Sequence, residues 1–252
     1  MPETACLLVH GFGGSPFEMS PLAEALENRG LAVSVPTLPG HGLSIEEWSR
    51  TGWKDWLAHA VEAYERLASE HGKVFVVGFS MGGSLALALA QRYRPAGLVT
   101  IASPVYLYRL LPPEATDWRL PFVPVLKSLR PIWPVPPKKP ESRIIAPWEG
   151  YEGAVSMEAL HSFMTGLKDV RRGLGKVTSP ILSVHSPLDR QVPVGNLWEI
   201  ARRVGSKVRR TALVEIEERV TKHHIITTHR ETKDEVARLC VEFVTETASQ
   251  QA

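Results

Sequence analysis

The sequence predicts an α/β fold: a mostly parallel sheet of about six strands with helices on both faces, built as one domain over residues 1–252. Two observations carry this prediction. Short β-rich apolar runs alternate along the chain with stretches whose apolar residues recur at helical spacing, and such alternation implies parallel strands joined by crossover helices. The composition, 44% apolar and 22% charged over 252 residues, is that of a single globular core of about 100–250 residues. The 19 glycines and 20 prolines do not repeat, which sets aside collagen-like and low-complexity chains. A formal net charge of +2 leaves no electrostatic footprint for nucleic acid or an acidic membrane. The basic runs at Arg171-Arg172, Arg202-Arg203 and 207–210 are short and read as solvated surface.

Residues 6–9 read as the first strand, followed by the loop His10-Gly11-Phe12-Gly13-Gly14. Ser20 and Pro21 form an N-cap and first-turn pair for a helix that runs to Asn28 and stops at Gly30. Residues 31–35 form a second strand, closed by Pro36 and the loop Leu38-Pro39-Gly40-His41-Gly42. Trp53, Trp56, Leu57, Ala60, Val61, Tyr64 and Leu67 recur at helical spacing, and Gly72 ends that helix. A third strand at 73–77 leads into a compact Ala- and Leu-rich helix at 81–93. The remaining strands fall at 98–101, 181–184 and 212–216, and the remaining helices at 157–170, 194–204 and 229–247.

Residues 104–147 break the alternation, holding 11 of the 20 prolines. Proline removes a backbone donor and clashes inside helices, so this stretch is no regular crossover. It is also too apolar for a disordered tail, with Trp118, Phe122, Trp133 and, just beyond, Trp148 among its leucines and valines. It reads as a cap inserted at approximately 104–150 over one edge of the sheet, its apolar surface meeting an apolar ligand through Trp118, Phe122 and Trp148. A packed, irregular connection without substrate contact is the other reading.

No apolar run approaches the roughly 20 residues of a membrane helix. The N-terminus lacks the basic start and apolar core of a signal peptide, and Cys6 and Cys240 read as buried free thiols. Together these predict a cytoplasmic protein.

The sharpest chemical signal is Gly78-Phe79-Ser80-Met81-Gly82. A buried strand leads in and a helix of small residues leads out, the context that forces a serine hydroxyl out of a strained turn at the end of a strand. Ser80 is therefore the candidate nucleophile. A serine hydroxyl is a weak nucleophile at neutral pH and needs a base and an oxyanion acceptor. The loop at 10–14 emerges beside the Ser80 turn, and the backbone N–H groups of Phe12 and Met81 are the candidate donors. His10 precedes the turn and reads as a structural hydrogen-bonding residue. No His, Cys and carboxylate cluster falls at metal-ligand spacing, and the glycine loop lacks a dinucleotide fingerprint, so neither a metal nor a cofactor is expected.

His10-Gly-Phe-Gly-Gly14, Pro39-Gly-His-Gly42, Thr51-Gly-Trp-Lys-Asp-Trp56, Gly78-Phe-Ser-Met-Gly-Gly83, Asp189 to Pro193 and His224-Ile-Ile-Thr227 occur in this order along the chain. In these pieces the sequence resembles the α/β-hydrolase superfamily, and more narrowly the small bacterial carboxylesterases and monoacylglycerol lipases. The chain opens at the strand bearing the oxyanion loop, so about six strands are expected here, without the first of the superfamily's usual eight. The resemblance implies Asp189 as the acid of a Ser-His-Asp triad, through an Asp-x-x-Val-Pro element. It implies His224 as the base, because two apolar residues follow it; His223 stands where a small residue is usual, and an exchange of the two roles stays open. His41 is structural by the same resemblance.

Residues and resemblance together imply a serine hydrolase that cleaves small-molecule carboxylic esters of apolar acyl chains, a carboxylesterase or monoacylglycerol lipase working through an acyl-enzyme. A thioesterase or other acyl hydrolase on the same triad is the alternative, and a binder of apolar ligands without turnover is the competing class.

Overall fold

A computed structural model describes residues 2–111 and 113–251. Its central sheet is built from six strands: β1 (Thr4–Val9), β2 (Ala32–Ser34), β3 (Lys73–Phe79), β4 (Gly97–Ile101), β9 (Ile181–His185) and β10 (Arg209–Leu213). All are parallel, in the order β10-β9-β4-β3-β1-β2. Side chains on strands alternate between faces, and the core divides accordingly. Ala5, Leu7 and Val9 of β1 join Val74 and Val76 of β3 beneath α3 (Trp53–Glu70), α4 (Met81–Ala90), α7 (Met157–Gly173) and α8 (Gly195–Arg203). Cys6, Leu8, Phe75 and Val77 face the other way, under α1 (Ser20–Glu27) and α9 (Lys233–Gln250). Cys6 and Cys240 are both free and buried on this second face.

The strand order positions the site. From β1 the chain builds β2 on one side, then crosses back to build β3, β4, β9 and β10 on the other. At such a switch in winding, the connections leave the sheet in opposite directions and open a crevice at the carboxyl ends of the strands. Val9 is paired with Gly78, so β1 and β3 end level with each other. The 10–14 loop and the Ser80 turn therefore leave the sheet side by side.

Several boundaries differ from those the sequence predicts. Ser20 is no N-cap: a 3-10 turn, Pro16–Met19, precedes α1 and is capped by Ser15, while the Ser20 hydroxyl donates to Phe17 O. A short helix, α2 (Ile45–Ser49), carries a full Ser44/Glu47 capping box that the periodicity did not reveal. The last strand pairs over Arg209–Leu213, not 212–216, because register with β9 places Arg209 opposite Ile181. Its arginines suit an exposed edge strand, and the buried Val214 and Ile216 lie beyond the paired ladder. The last helix begins at Lys233, not near residue 229, and the Glu231 carboxylate before it accepts from Glu217 N.

The proline-rich insertion folds into short pieces. A two-stranded antiparallel ribbon pairs β5 (Tyr108–Leu110) with β6 (Pro113–Ala115), and a second pairs β7 (Ile132–Pro134) with β8 (Ala154–Ser156). Between them lie α5 (Val123–Leu129) and, inside the second ribbon, α6 (Pro140–Ile145). Both helices have proline at the start, where the missing N–H costs no helical bond.

Candidate active site

Ser80 occupies the turn between β3 and α4 with φ of 51°, a conformation unfavourable for a residue with a side chain. Two close approaches hold it there. A Cβ on Gly78 would fall 2.3 Å from the backbone of Gly82, and one on Gly82 would fall 2.0 Å from Val9 O. Only glycine lets the helix sit so tightly against the strands, and the Ser80 N–H in turn donates to Ile101 O at 2.8 Å.

The hydroxyl so presented lies 2.9 Å from His224 Nε2, and His224 Nδ1 lies 2.7 Å from Asp189 Oδ2. Asp189 follows β9 in a loop whose own backbone grips the carboxylate: Oδ1 accepts from Gln191 N at 2.7 Å and Val192 N at 3.0 Å. Burial alone would raise the Asp189 pKa, but His224 and His185 beside it outweigh burial and hold it down to about 2. The carboxylate is thus ionised and fixes an Nδ1–H tautomer on His224, leaving Nε2 as acceptor toward Ser80. The loops of acid and histidine are tied together, since Arg190 N donates to Lys222 O at 2.9 Å and its guanidinium to Thr221 O.

His223 does not reach this array. Its backbone is left-handed, φ 57°, and its Nε2 donates at 2.6 Å to Glu218 O. Glu218 organises this loop through Thr221 and His229, both hydrogen-bonded to its carboxylate.

The loop after β1 is held by three of its own N–H groups. Gly11 N donates to Glu18 Oε2 at 2.6 Å, Gly13 N to His41 Nε2 at 3.2 Å, and Gly14 N to Gly11 O at 3.3 Å. Among the described residues, no acceptor engages Phe12 N or Met81 N. The two expected oxyanion donors are therefore free, while Gly11 N and Gly13 N on either side of Phe12 and Ser80 N before Met81 are committed. His10 and His41 are scaffold: each accepts a backbone N–H on Nε2 and faces a carbonyl with Nδ1. Burial pushes their pKa values down to about 3 and about 4, so both stay neutral and keep those acceptor atoms.

The profile of the family described as Hydrolase_4, serine aminopeptidase S33, matches residues 1–217. The chain belongs to this family. A thermostable monoacylglycerol lipase from Bacillus sp. (strain H-257) is 45% identical over 100 residues, a stretch spanning 39% of this chain and 40% of that protein. A carboxylesterase from Bacillus subtilis (strain 168) is 27% identical over 75% of this chain and 74% of its own. Among solved structures, one reported with the metagenome-derived lipolytic enzymes LipS and LipT superposes with a TM-score of 0.83 at 23% identity, covering 97% of this chain and 94% of that one. The monoacylglycerol lipase of Paleococcus ferrophilus gives 0.74 at 18% identity, covering 98% and 96%. At these identities the structures establish the α/β-hydrolase fold. The chain is an α/β-hydrolase whose relatives are named as lipases and esterases.

In this α/β-hydrolase a cavity of about 570 Å³ opens over Ser80 and His224 between sheet and cap. One side is apolar, with Phe12, Leu107, Val155, Leu160 and Phe163; Phe12 stacks on Phe163 at 5.5 Å and packs against Trp48 and Trp56. Of the three cap residues expected to contact substrate, Trp148 lines the cavity. Trp118 and Phe122 do not: they are 76% and 54% exposed and pack edge-on against each other. The Asp117–Arg119 ion pair and the 3-10 turn Leu120–Phe122 orient this stretch so that Leu120 and Val123, rather than the aromatics, turn inward.

Three residues near the site escaped sequence reasoning. His185 Nε2 sits 3.0 Å from Val192 O and 3.4 Å from Asp189 Oδ2, on the last residue of β9. Glu18, fully buried, reaches the oxyanion loop from the 3-10 turn, and its other oxygen accepts the Trp148 indole N–H. Lys138 lines the cavity from the cap. A carboxylate two residues after a proline and a lysine in a proline run carry no motif; only the Gly-rich loop nearby hinted that Glu18 has donors to satisfy.

No helix among the described residues is long and apolar enough to cross a membrane. Among them, no group of three or more His, Cys, Asp or Glu is placed to hold a metal ion.

Proposed function

We propose that the protein is a serine hydrolase of carboxylic esters with apolar acyl chains, a carboxylesterase or monoacylglycerol lipase in substrate class. The observation that carries this reading is the continuous line Ser80–His224–Asp189, at 2.9 and 2.7 Å, opening into a cavity with one apolar side.

Neutral His224 takes the Ser80 proton as the oxygen attacks the ester carbonyl, and ionised Asp189 stabilises the imidazolium. The carbonyl oxygen, now negative, moves onto the N–H groups of Phe12 and Met81, which have no acceptor among the described residues; each such donor is worth about 2.7–4 kcal/mol to the transition state. His224 then protonates the leaving alcohol. Water, deprotonated by the same histidine, releases the acid from Ser80.

The names borne by the relatives support esters as the substrate class. The buried free thiols Cys6 and Cys240, whose pKa values burial raises, support a reducing, cytoplasmic setting.

A fluorophosphonate probe tests the reading. It should label the protein covalently once, at Ser80, and labelling and 4-nitrophenyl ester hydrolysis should both vanish in Ser80→Ala with the melting temperature kept. A Ser80→Ala protein that still turns over esters near the wild-type rate would overturn it.

A further inference from the structure

The lining of the cavity also carries charge that ester hydrolysis does not use. Lys138, in the cap between β7 and α6, places its ammonium 3.6 Å from the centroid of the Trp148 ring. The nitrogen is sealed from solvent, and among the described residues no atom accepts a hydrogen bond from it. An ammonium has three protons to place, so burial without an acceptor is costly. The π face of Trp148 offsets only part of that cost. Burial accordingly pulls the Lys138 pKa down to about 8, against the opposing pull of Glu18 and Glu152.

Among the described residues, none of the other charges lining the cavity forms an ion pair with Lys138. Arg119 is paired with Asp117, and Glu152 with Arg143. Glu18 has both oxygens engaged, by Gly11 N and the Trp148 indole. Lys139 and Lys222 line the same cavity from its exposed side. The lining is thus net positive, and its buried Lys138 ammonium has neither a hydrogen-bond nor an ion-pair partner among the described residues, in a cavity that also holds the candidate nucleophile.

We propose that Lys138, resting on Trp148, is a recognition site for an anionic oxygen group, a phosphate or carboxylate, carried by the ester substrate. The inference rests on the ester-hydrolase reading and narrows it: the acyl chain occupies the apolar side, and a substrate anion supplies the acceptor that the protein withholds.

Two matched substrate pairs test it. One is a 1-monoacylglycerol against the 1-acylglycerol 3-phosphate of the same chain; the other is the 4-nitrophenyl ester of a fatty acid against the 4-nitrophenyl monoester of a dicarboxylic acid of equal length. The wild type should prefer the anionic member of at least one pair by roughly tenfold in kcat/KM, about 1.4 kcal/mol. Lys138→Met should bring that ratio to within about twofold of one, and Lys138→Arg should retain a preference. The preferred pair tells whether the anion is a phosphate on the alcohol side or a carboxylate on the acyl side. Equal ratios in wild type and Lys138→Met overturn the proposal, as does a wild-type preference for both uncharged members.

If no ester is cleaved, the ester-hydrolase reading fails and the subsite is judged by binding. Calorimetric titration of Ser80→Ala protein with the acylglycerol phosphate should then give a Kd that weakens about tenfold on adding Lys138→Met. An unchanged or absent affinity overturns the subsite as well.

Discussion

Glu18 Oε2 accepts the Gly11 N–H at 2.6 Å, one residue before the N–H that is free to meet an oxyanion. The same carboxylate takes the Trp148 indole N–H on its other oxygen, so one buried side chain joins the oxyanion loop to the cap. Its carboxyl also fills the space beside Gly14, where a Cβ would lie 2.5 Å from it. Leu in place of Glu18 would leave Gly11 N without an acceptor, a penalty of about 1–3 kcal/mol that the loop can escape only by shifting. Glu18→Leu should therefore lower kcat on 4-nitrophenyl esters by more than about tenfold, with KM changed far less, because the lost aim matters most to the transition state. Glu18→Gln, which keeps an acceptor, should lose less. Steady-state kinetics beside thermal melts check this, and a raised KM at constant kcat would remove Glu18 from the aiming of the loop.

The same residue makes a prediction about stability. Burial pushes the Glu18 pKa from its ordinary 4.5 to about 7, against the Gly11 and Trp148 bonds and Lys138, which lower it. An acid whose folded pKa exceeds its unfolded one holds a proton in the fold that the unfolded chain has released. Stability from this group therefore falls as pH rises between about 4.5 and 7, then levels off. Asp189 has the opposite sign, its stabilisation being lost only as pH falls from 3.8 toward about 2, so the two windows separate. Urea midpoints of wild type and Glu18→Gln between pH 4 and 8 should converge at the acid end and diverge in favour of Glu18→Gln above pH 7. Parallel curves would mean that the carboxyl does not titrate there.

Adjacent histidines make a sharp contrast. His224 bridges Ser80 and Asp189, whereas His223 turns its Nε2 to Glu218 O from a left-handed backbone. His224→Ala should reduce kcat by at least about 10³-fold at an unchanged melting temperature. His223→Ala should cost little rate and some stability. The reverse ranking, measured on one ester at saturation, would exchange their roles.

The parts of this site that follow from local strain or spacing were legible in the sequence. Ser80 announced itself because glycines at 78 and 82 are needed wherever a helix presses against strand ends, and the register of β1 with β3 then brings the 10–14 loop alongside. Asp189 and His224 follow from the resemblance alone, since their meeting depends on segments far apart in sequence. Apolar content points to a last strand at 212–216, whereas pairing with β9 is set by backbone register and falls at 209–213. Trp118 and Phe122 stand outside the cavity lining for a related reason. Aromatic residues signal burial only when the surrounding fold turns them inward, and a proline-rich segment has no helical or strand period from which to read that direction.

The lining of the cavity supplies the last prediction. Leu160 of α7 lines the apolar side of the cavity and is partly buried, while Trp118 stands 76% exposed outside it. Shortening Leu160 to alanine lengthens the space available to an acyl chain with a modest loss of packing. Leu160→Ala should shift the best 4-nitrophenyl ester toward longer chains by several-fold in relative kcat/KM, and Trp118→Ala should leave the profile where it was. A substrate-facing Trp118 would give the opposite pattern in an acetate-to-palmitate series, because only a side chain that meets the acyl group can discriminate its length. The outcome thus separates a cavity lined by α7 and Trp148 from one covered by the exposed aromatics of the proline-rich insertion.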